Sequence, residues 1–225
     1  DELINQLKDR SQIRIKSVFS HLAASDSPAN DDFTRHQVSL FRMISDRICS
    51  EFDYPILRHI ANTAAITRFP EAQFDMVRLG IGLYGIAPMP DEQEKLQNVS
   101  TLRSIISQIK HVPAKDSIGY NRRYKAKNDT TIAIVPIGYA DGLSRALSNG
   151  IGHLKVNGHY APIVGSICMD MTMIDITCIN AHEGDEVIIF GKDLPITRLA
   201  DEMGSIPYEI LSGISQRVKR VYFQE

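Results

Sequence analysis

Pro136-Ile137-Gly138-Tyr139-Ala140-Asp141-Gly142 closes an apolar run that begins near Thr131. Two comparable stretches flank it: Ser117-Ile118-Gly119-Tyr120 before, and Val164-Gly165-Ser166-Ile167-Cys168-Met169-Asp170 after. Each sets a polar or aromatic side chain beside glycine at the end of an apolar run, where a strand turns and its backbone can approach a ligand closely. Around them, β-branched or alternating runs at 102–112, 131–137, 153–156, 161–164, 171–176 and 186–190 predict a mostly β region. Asn157-Gly158 is the sharpest hairpin signal, because a type I′ turn favours that dipeptide. Short helices are expected at 196–203 and 208–212, and a last strand at 218–223.

The first ninety residues have a different rhythm. Residues 2–10 read as a helix with Leu3, Ile4 and Leu7 on one face, and 13–19 as a short buried strand. A helix is predicted over 32–51, where Phe33, Leu40, Phe41, Ile44 and Ile48 recur at roughly helical spacing behind Asp31 and Asp32. A strand is expected at 56–61. Another is expected in Phe74-Asp75-Met76-Val77-Arg78-Leu79, running into Gly80-Ile81-Gly82-Leu83-Tyr84-Gly85. This order resembles part of an α/β barrel, whose active residues lie at the carboxyl ends of its strands, with about three strands present. Pro88, Pro90 and the acidic Asp91, Glu92 and Glu94 mark a linker. The expected fold is therefore α/β plus β: a partial (β/α)8 TIM-type barrel over 1–90, then a mostly β, barrel-like domain over 91–225.

Composition excludes several function classes. With 43% hydrophobic and 23% charged residues the chain has the makings of a real core, and a net charge of −2 with scattered basic residues gives no footprint for nucleic acid. Three cysteines without CxxC spacing argue against a disulfide framework or a zinc site and fit a reducing cytoplasm. No apolar run approaches the roughly 20 residues that span a bilayer, and the amino terminus has no signal-peptide pattern. The expectation is a cytoplasmic protein that binds no membrane, no nucleic acid and no metal.

Among residues able to carry chemistry, Tyr120 comes first. A phenol titrates near 10 in water, so its use as a base needs positive charge and hydrogen bonding around it. Taken alone it reads as a tyrosine ending a strand, and the spacing to Tyr139 and Met169 tips the balance towards a site. His21 and Arg78, each at the end of an expected strand, would face the barrel's catalytic end. Gly80-Ile81-Gly82 can present unhindered N–H groups, with Thr63 adding a hydroxyl, a combination suited to a phosphate monoester. Gly-x-Gly occurs in many tight turns, so this signal is weak on its own. Cys168 and Met169 read first as core after an apolar strand.

The three turns, in this order and spacing, resemble the carboxy-terminal domain of alanine racemase, a pyridoxal-phosphate enzyme, and the likeness extends over essentially the whole chain. The resemblance implies interconversion of L- and D-alanine for peptidoglycan precursors, in a homodimer whose active sites are shared between subunits. It implies that Tyr120 is one of two catalytic bases, tuned by His21 and Arg78. Thr63, Gly80, Ile81 and Tyr208 would hold the cofactor phosphate, and Arg78 would face the pyridine nitrogen. The N–H of Met169 would meet the substrate carboxylate, and Tyr139, Arg145, Asp26 and Ile206 would line the entrance. His59 and Asn62 would support Arg78 and the phosphate loop. Ser166 stands where many members carry arginine, which leaves open whether alanine or serine is preferred. The family's cofactor-binding lysine lies in a Lys-Ala-Asn/Asp-Ala-Tyr-Gly motif that no lysine here matches, so the chain reads as the carboxy-terminal part of such an enzyme, inactive by itself. The alternative from another class is a non-catalytic binding or assembly module that keeps the fold.

Overall fold

The computed structural model describes residues 2–223 in two compact units, Asp1–Val99 and Ser100–Glu225. In the first, α1 (Glu2–Lys8) leads to β1 (Ser17–Phe19), α2 (Asp31–Cys49), β2 (Leu57–His59) and α3 (Thr63–Arg68). β1 and β2 pair in parallel, Ser17 opposite Leu57 and Phe19 opposite His59. Parallel pairing requires a crossover, and α2 supplies it. Its buried residues are Thr34, Val38, Phe41 and Ser45. Val38 and Phe41 pack with Leu22, Ile60, Ala61, Ala65, Phe69 and Ala72. Phe33, Leu40 and Ile44, expected on the buried face, are exposed. Apolar residues occupy two sides of this helix, and periodicity cannot tell which side meets the small alanines of α3.

Two strands of the first unit differ from expectation. The strand expected at 13–19 is confined to 17–19, because the Ile15 amide donates to the Tyr54 hydroxyl at 3.3 Å instead of to a neighbouring strand. Residues 74–79 run beside β2 without forming a ladder. Asp75 N donates to Arg58 O at 3.1 Å and Arg78 N to Ala61 O at 2.9 Å, but Arg58 N donates to the Asp75 carboxylate at 2.8 Å. A side chain thus takes the bond that a strand partner would return. Phe74 enters this segment at φ 46°, edge-on to Phe41 with ring centroids 5.1 Å apart. The expected linker is partly a 3₁₀ helix, Pro90–Lys95.

The second unit is mostly β. Its strands are β3 (Leu102–Ile105), β4 (Gln108–Val112), β5 (Ser117–Ile118), β6 (Tyr124–Lys125), β7 (Thr130–Val135), β8 (His153–Val156), β9 (His159–Pro162), β10 (Thr172–Asp175) and β11 (Glu186–Phe190). They form a three-stranded sheet ordered β10-β7-β4, a four-stranded sheet ordered β3-β11-β8-β9, and the β5–β6 hairpin. The run expected as one strand at 102–112 is two, because the chain changes sheet at its middle: Ile106 N donates to Asp185 O, and Ser107 N to Ile134 O. A bridge between Ile163 and Ile174 joins the sheets again, giving a barrel-like closure. Asn157 and Gly158, at φ 47° and 82°, form the two-residue turn between Val156 and His159. Helices α4 (Ile196–Met203) and α5 (Pro207–Gly213) follow. The strand expected at 218–223 is absent. Arg220 donates to the carbonyls of Ile214, Ser215 and Val218, so a side chain claims backbone acceptors in and just before the expected strand.

Candidate functional site

In the first unit the carboxyl ends of β1 and β2 meet at one guanidinium. Arg78 Nη1 lies 2.8 Å from His59 Nδ1 and 3.3 Å from His59 O. Nη2 lies 2.7 Å from Ser20 O, 3.1 Å from His21 Nδ1 and 3.3 Å from Ile60 O. A guanidinium can only donate, so both histidines accept at Nδ1 and carry their ring proton on Nε2. Four N–H bonds meet five acceptors, and Arg78 Nε–H has no partner among the described residues. The Phe19 ring stacks on His59 at 5.3 Å, with the Arg78 guanidinium 5.5 Å from its centroid. The sequence signal that placed His21 and Arg78 at strand ends thus brings them together, and His59 joins them as a support.

Burial, then the Arg78 charge, lowers the His59 pKa from its ordinary 6.5. A histidine with a depressed folded pKa stabilises the fold fully above its unfolded value, and the contribution is lost as pH falls from there through the folded pKa. The first unit should therefore lose stability as pH drops below about 6.5. His59→Gln should flatten the slope of thermal midpoint against pH below about 6.5. An unchanged slope in that variant would assign the effect to another group.

Next to this cluster, Gly80 N donates to Thr63 Oγ1 at 2.9 Å, leaving the hydroxyl proton to donate elsewhere. A Cβ on Gly82 would lie 2.9 Å from Thr63 Cγ2 and 3.0 Å from Leu79 Cδ1, so a larger residue there would have to push these side chains aside. Asn62 Oδ1 caps α3 by accepting from Ala65 N at 3.1 Å. The Ser25 hydroxyl donates to the same oxygen at 2.8 Å. Asp26 follows in the exposed turn before α2.

The second unit gathers the three glycine turns. A Cβ on Gly119 would lie 3.3 Å from Ser166 N and 3.5 Å from Gly165 Cα, and one on Gly138 would lie 2.3 Å from Cys168 O and 2.4 Å from Met169 O. Backbone therefore packs directly on backbone at both places. Tyr139 N donates to Cys168 O and Ala140 N to Met169 O, each at 3.0 Å. The N–H of Met169 has no acceptor among the described residues. Tyr120 stands at the tip of the β5–β6 hairpin and is 72% exposed. Tyr139 is exposed, with the Arg145 guanidinium 6.0 Å from its ring. Ser166 is 3% exposed, so it packs behind the turn and is not a surface polar group of this unit. Burial raises the Cys168 thiol, with Arg145 opposing, which disfavours the thiolate that nucleophilic chemistry needs. Ile206 and Tyr208, at the start of α5, are exposed.

One group escaped the sequence reading. Arg217 Nε donates to Asp141 Oδ1 at 2.7 Å, and its Nη2 to Asp170 Oδ1 at 2.6 Å. These hydrogen bonds, Asp141 first, raise the Arg217 pKa. Acidic residues near the ends of two motifs are joined by a residue far along the chain, with no local pattern to announce it.

His21, His59 and Arg78 meet in the first unit, with Thr63 and Gly80 joined beside them. Tyr120, Tyr139, Arg145 and Met169 lie in the second, as do Ile206, just before α5, and Tyr208 within it. Among the described residues no three His, Cys, Asp or Glu side chains gather as a metal site. Among the described residues no helix is long and apolar enough to cross a membrane.

Comparison with known proteins adds the following. The family model for the alanine racemase N-terminal domain matches residues 1–88, and that for the alanine racemase C-terminal domain matches residues 99–222. Alanine racemase 2 of Caldanaerobacter subterraneus subsp. tengcongensis is 41% identical over 226 aligned positions, covering 97% of this chain and 58% of that protein. The solved alanine racemase of D-cycloserine-producing Streptomyces lavendulae superposes with a TM-score of 0.91 at 34% identity, covering 100% of this chain and 61% of that one. That of Bartonella henselae, with covalently bound pyridoxal phosphate, gives 0.86 at 30% identity, over 99% and 60%. The chain thus spans about three fifths of the length of the relatives it matches.

Proposed function

The chain belongs to the alanine racemase family, and from that premise we propose that it supplies the second catalytic base and most of the cofactor cradle for interconversion of L- and D-alanine. D-Alanine so made would feed peptidoglycan precursors in the cytoplasm. The family fold combines a TIM-type barrel with a β-rich C-terminal domain. The observation that carries the proposal is Arg78, fixed by two histidines and three carbonyls with only Nε–H left to donate.

The residues present fit pyridoxal phosphate. Gly80 N donates to Thr63 Oγ1, which leaves the Thr63 hydroxyl proton to donate to a phosphate beside the turn. In this reading Thr63, Gly80, Ile81 and Tyr208 hold the phosphate, and Arg78 holds the ring nitrogen. When bound, the cofactor supplies an electron sink that acidifies the substrate α-carbon. Arg78 stays a donor and cannot pass a proton to the ring, which limits electron withdrawal and favours return of the proton to carbon. Tyr120 moves that proton on one face of the substrate. The N–H of Met169 would bind the alanine carboxylate, and Tyr139, Arg145, Asp26 and Ile206 would take the entrance positions that the family resemblance implies. Two copies of the chain are proposed to share each site.

The test supplies a lysine-bearing amino-terminal segment from a relative, adds pyridoxal phosphate, and measures borohydride-trapped adduct and alanine racemisation. The complemented protein should show both. Cofactor uptake without racemisation, unaffected by Tyr120→Phe, would sink the proposal.

A further inference from the structure

We infer that Arg217 is the positioning residue that holds the carboxylate-binding turn and the Tyr139 gate in register; its functional half rests on the racemase reading above. Asp141 and Asp170 lie in the two turns that carry Tyr139 and Met169, and both carboxylates reach the same guanidinium, at 2.7 and 2.6 Å. The second oxygen of Asp141 accepts from Gly138 N at 2.8 Å, and its carbonyl accepts from Ser215 N at 3.0 Å. One residue beyond Gly138, the turns are stitched by the Tyr139 and Ala140 amides.

The clamp therefore acts on the backbone that aims the Met169 N–H. A planar guanidinium can bridge two carboxylates at fixed angles, whereas an ammonium is a point charge without that fork. Without Arg217 the two carboxylates keep their charge, lose their common counter-ion and drive the turns apart. The Met169 N–H then loses its aim while the phenol of Tyr120, on a separate hairpin, keeps its place. Such a change weakens binding of substrate and transition state alike and leaves the chemical step largely untouched.

Hydrogen exchange on the full chain tests the clamp without needing activity. Arg217→Met should speed exchange of the Tyr139 and Ala140 amides at least about tenfold and leave Ala133 and Ile174, paired across the β7–β10 ladder, unchanged, with Arg217→Lys recovering only part of the protection. In the complemented enzyme, Arg217→Met should raise KM for alanine about tenfold while kcat changes less than about threefold. Unchanged exchange at 139 and 140, or exchange rising evenly through the second unit, overturns the clamp. A kcat loss with KM unchanged overturns its positioning role. If the complemented protein with Arg217 intact races no alanine, the functional reading has failed, and the exchange data still decide the clamp.

Discussion

Tyr120→Phe should slow alanine racemisation by the complemented enzyme about 10²- to 10⁴-fold, the range a positioned acid–base group contributes. The substitution removes one oxygen from a side chain that is 72% exposed at a hairpin tip. The phenol has no hydrogen-bond partner among the described residues, and the turn is shaped by backbone, with Gly119 at φ 77°, Asn121 at 57° and Arg122 at 53°. Stability should therefore stay within about 0.5 kcal/mol. Cofactor content should not change. If the tyrosine serves one face as proposed, solvent deuterium should still enter the α-carbon of one enantiomer while its entry from the other is lost. Measuring both enantiomers by mass spectrometry separates this from general damage. A loss under tenfold, or equal loss of exchange from both sides, would remove Tyr120 from the reaction.

Gly138→Ala should have the largest effect on the second unit. The added Cβ would lie 2.3 to 2.5 Å from the Cys168 and Met169 backbone, which cannot rotate away as a side chain could. Over-packing of this kind costs about 2–3 kcal/mol, and here it opens the join between two of the three site turns. The urea midpoint of the second unit should fall accordingly, and alanine binding should be lost with it. Gly213→Ala is the matched control, since nothing lies within 4 Å of its added Cβ. Equal midpoints for the two variants would mean that the turns do not pack as described.

Much of the architecture was legible because its causes are local. Asn157-Gly158 takes the left-handed conformations a two-residue turn demands, and the apolar runs at Glu186–Phe190 and Ile196–Met203 form the elements expected of them. The glycines at 119, 138 and 165 signalled close approach, and each meets backbone from another turn. Misreadings arose where a side chain took a backbone partner: Asp75 beside β2, Arg220 after α5, Tyr54 before β1. Hydrophobic pattern carries no information about such competition.

For this protein the sequence alone determined most of the elements, the glycine turns and the candidate residue types for a phosphate, a carboxylate and a proton. Only the tertiary structure decided which side of α2 is buried, where the 102–112 run changes sheets, and that Arg217 ties two motifs together. The reason is physical: turn conformation and period are fixed by neighbours in the chain, whereas burial, strand pairing and ion pairing depend on groups many tens of residues away, brought close only by folding.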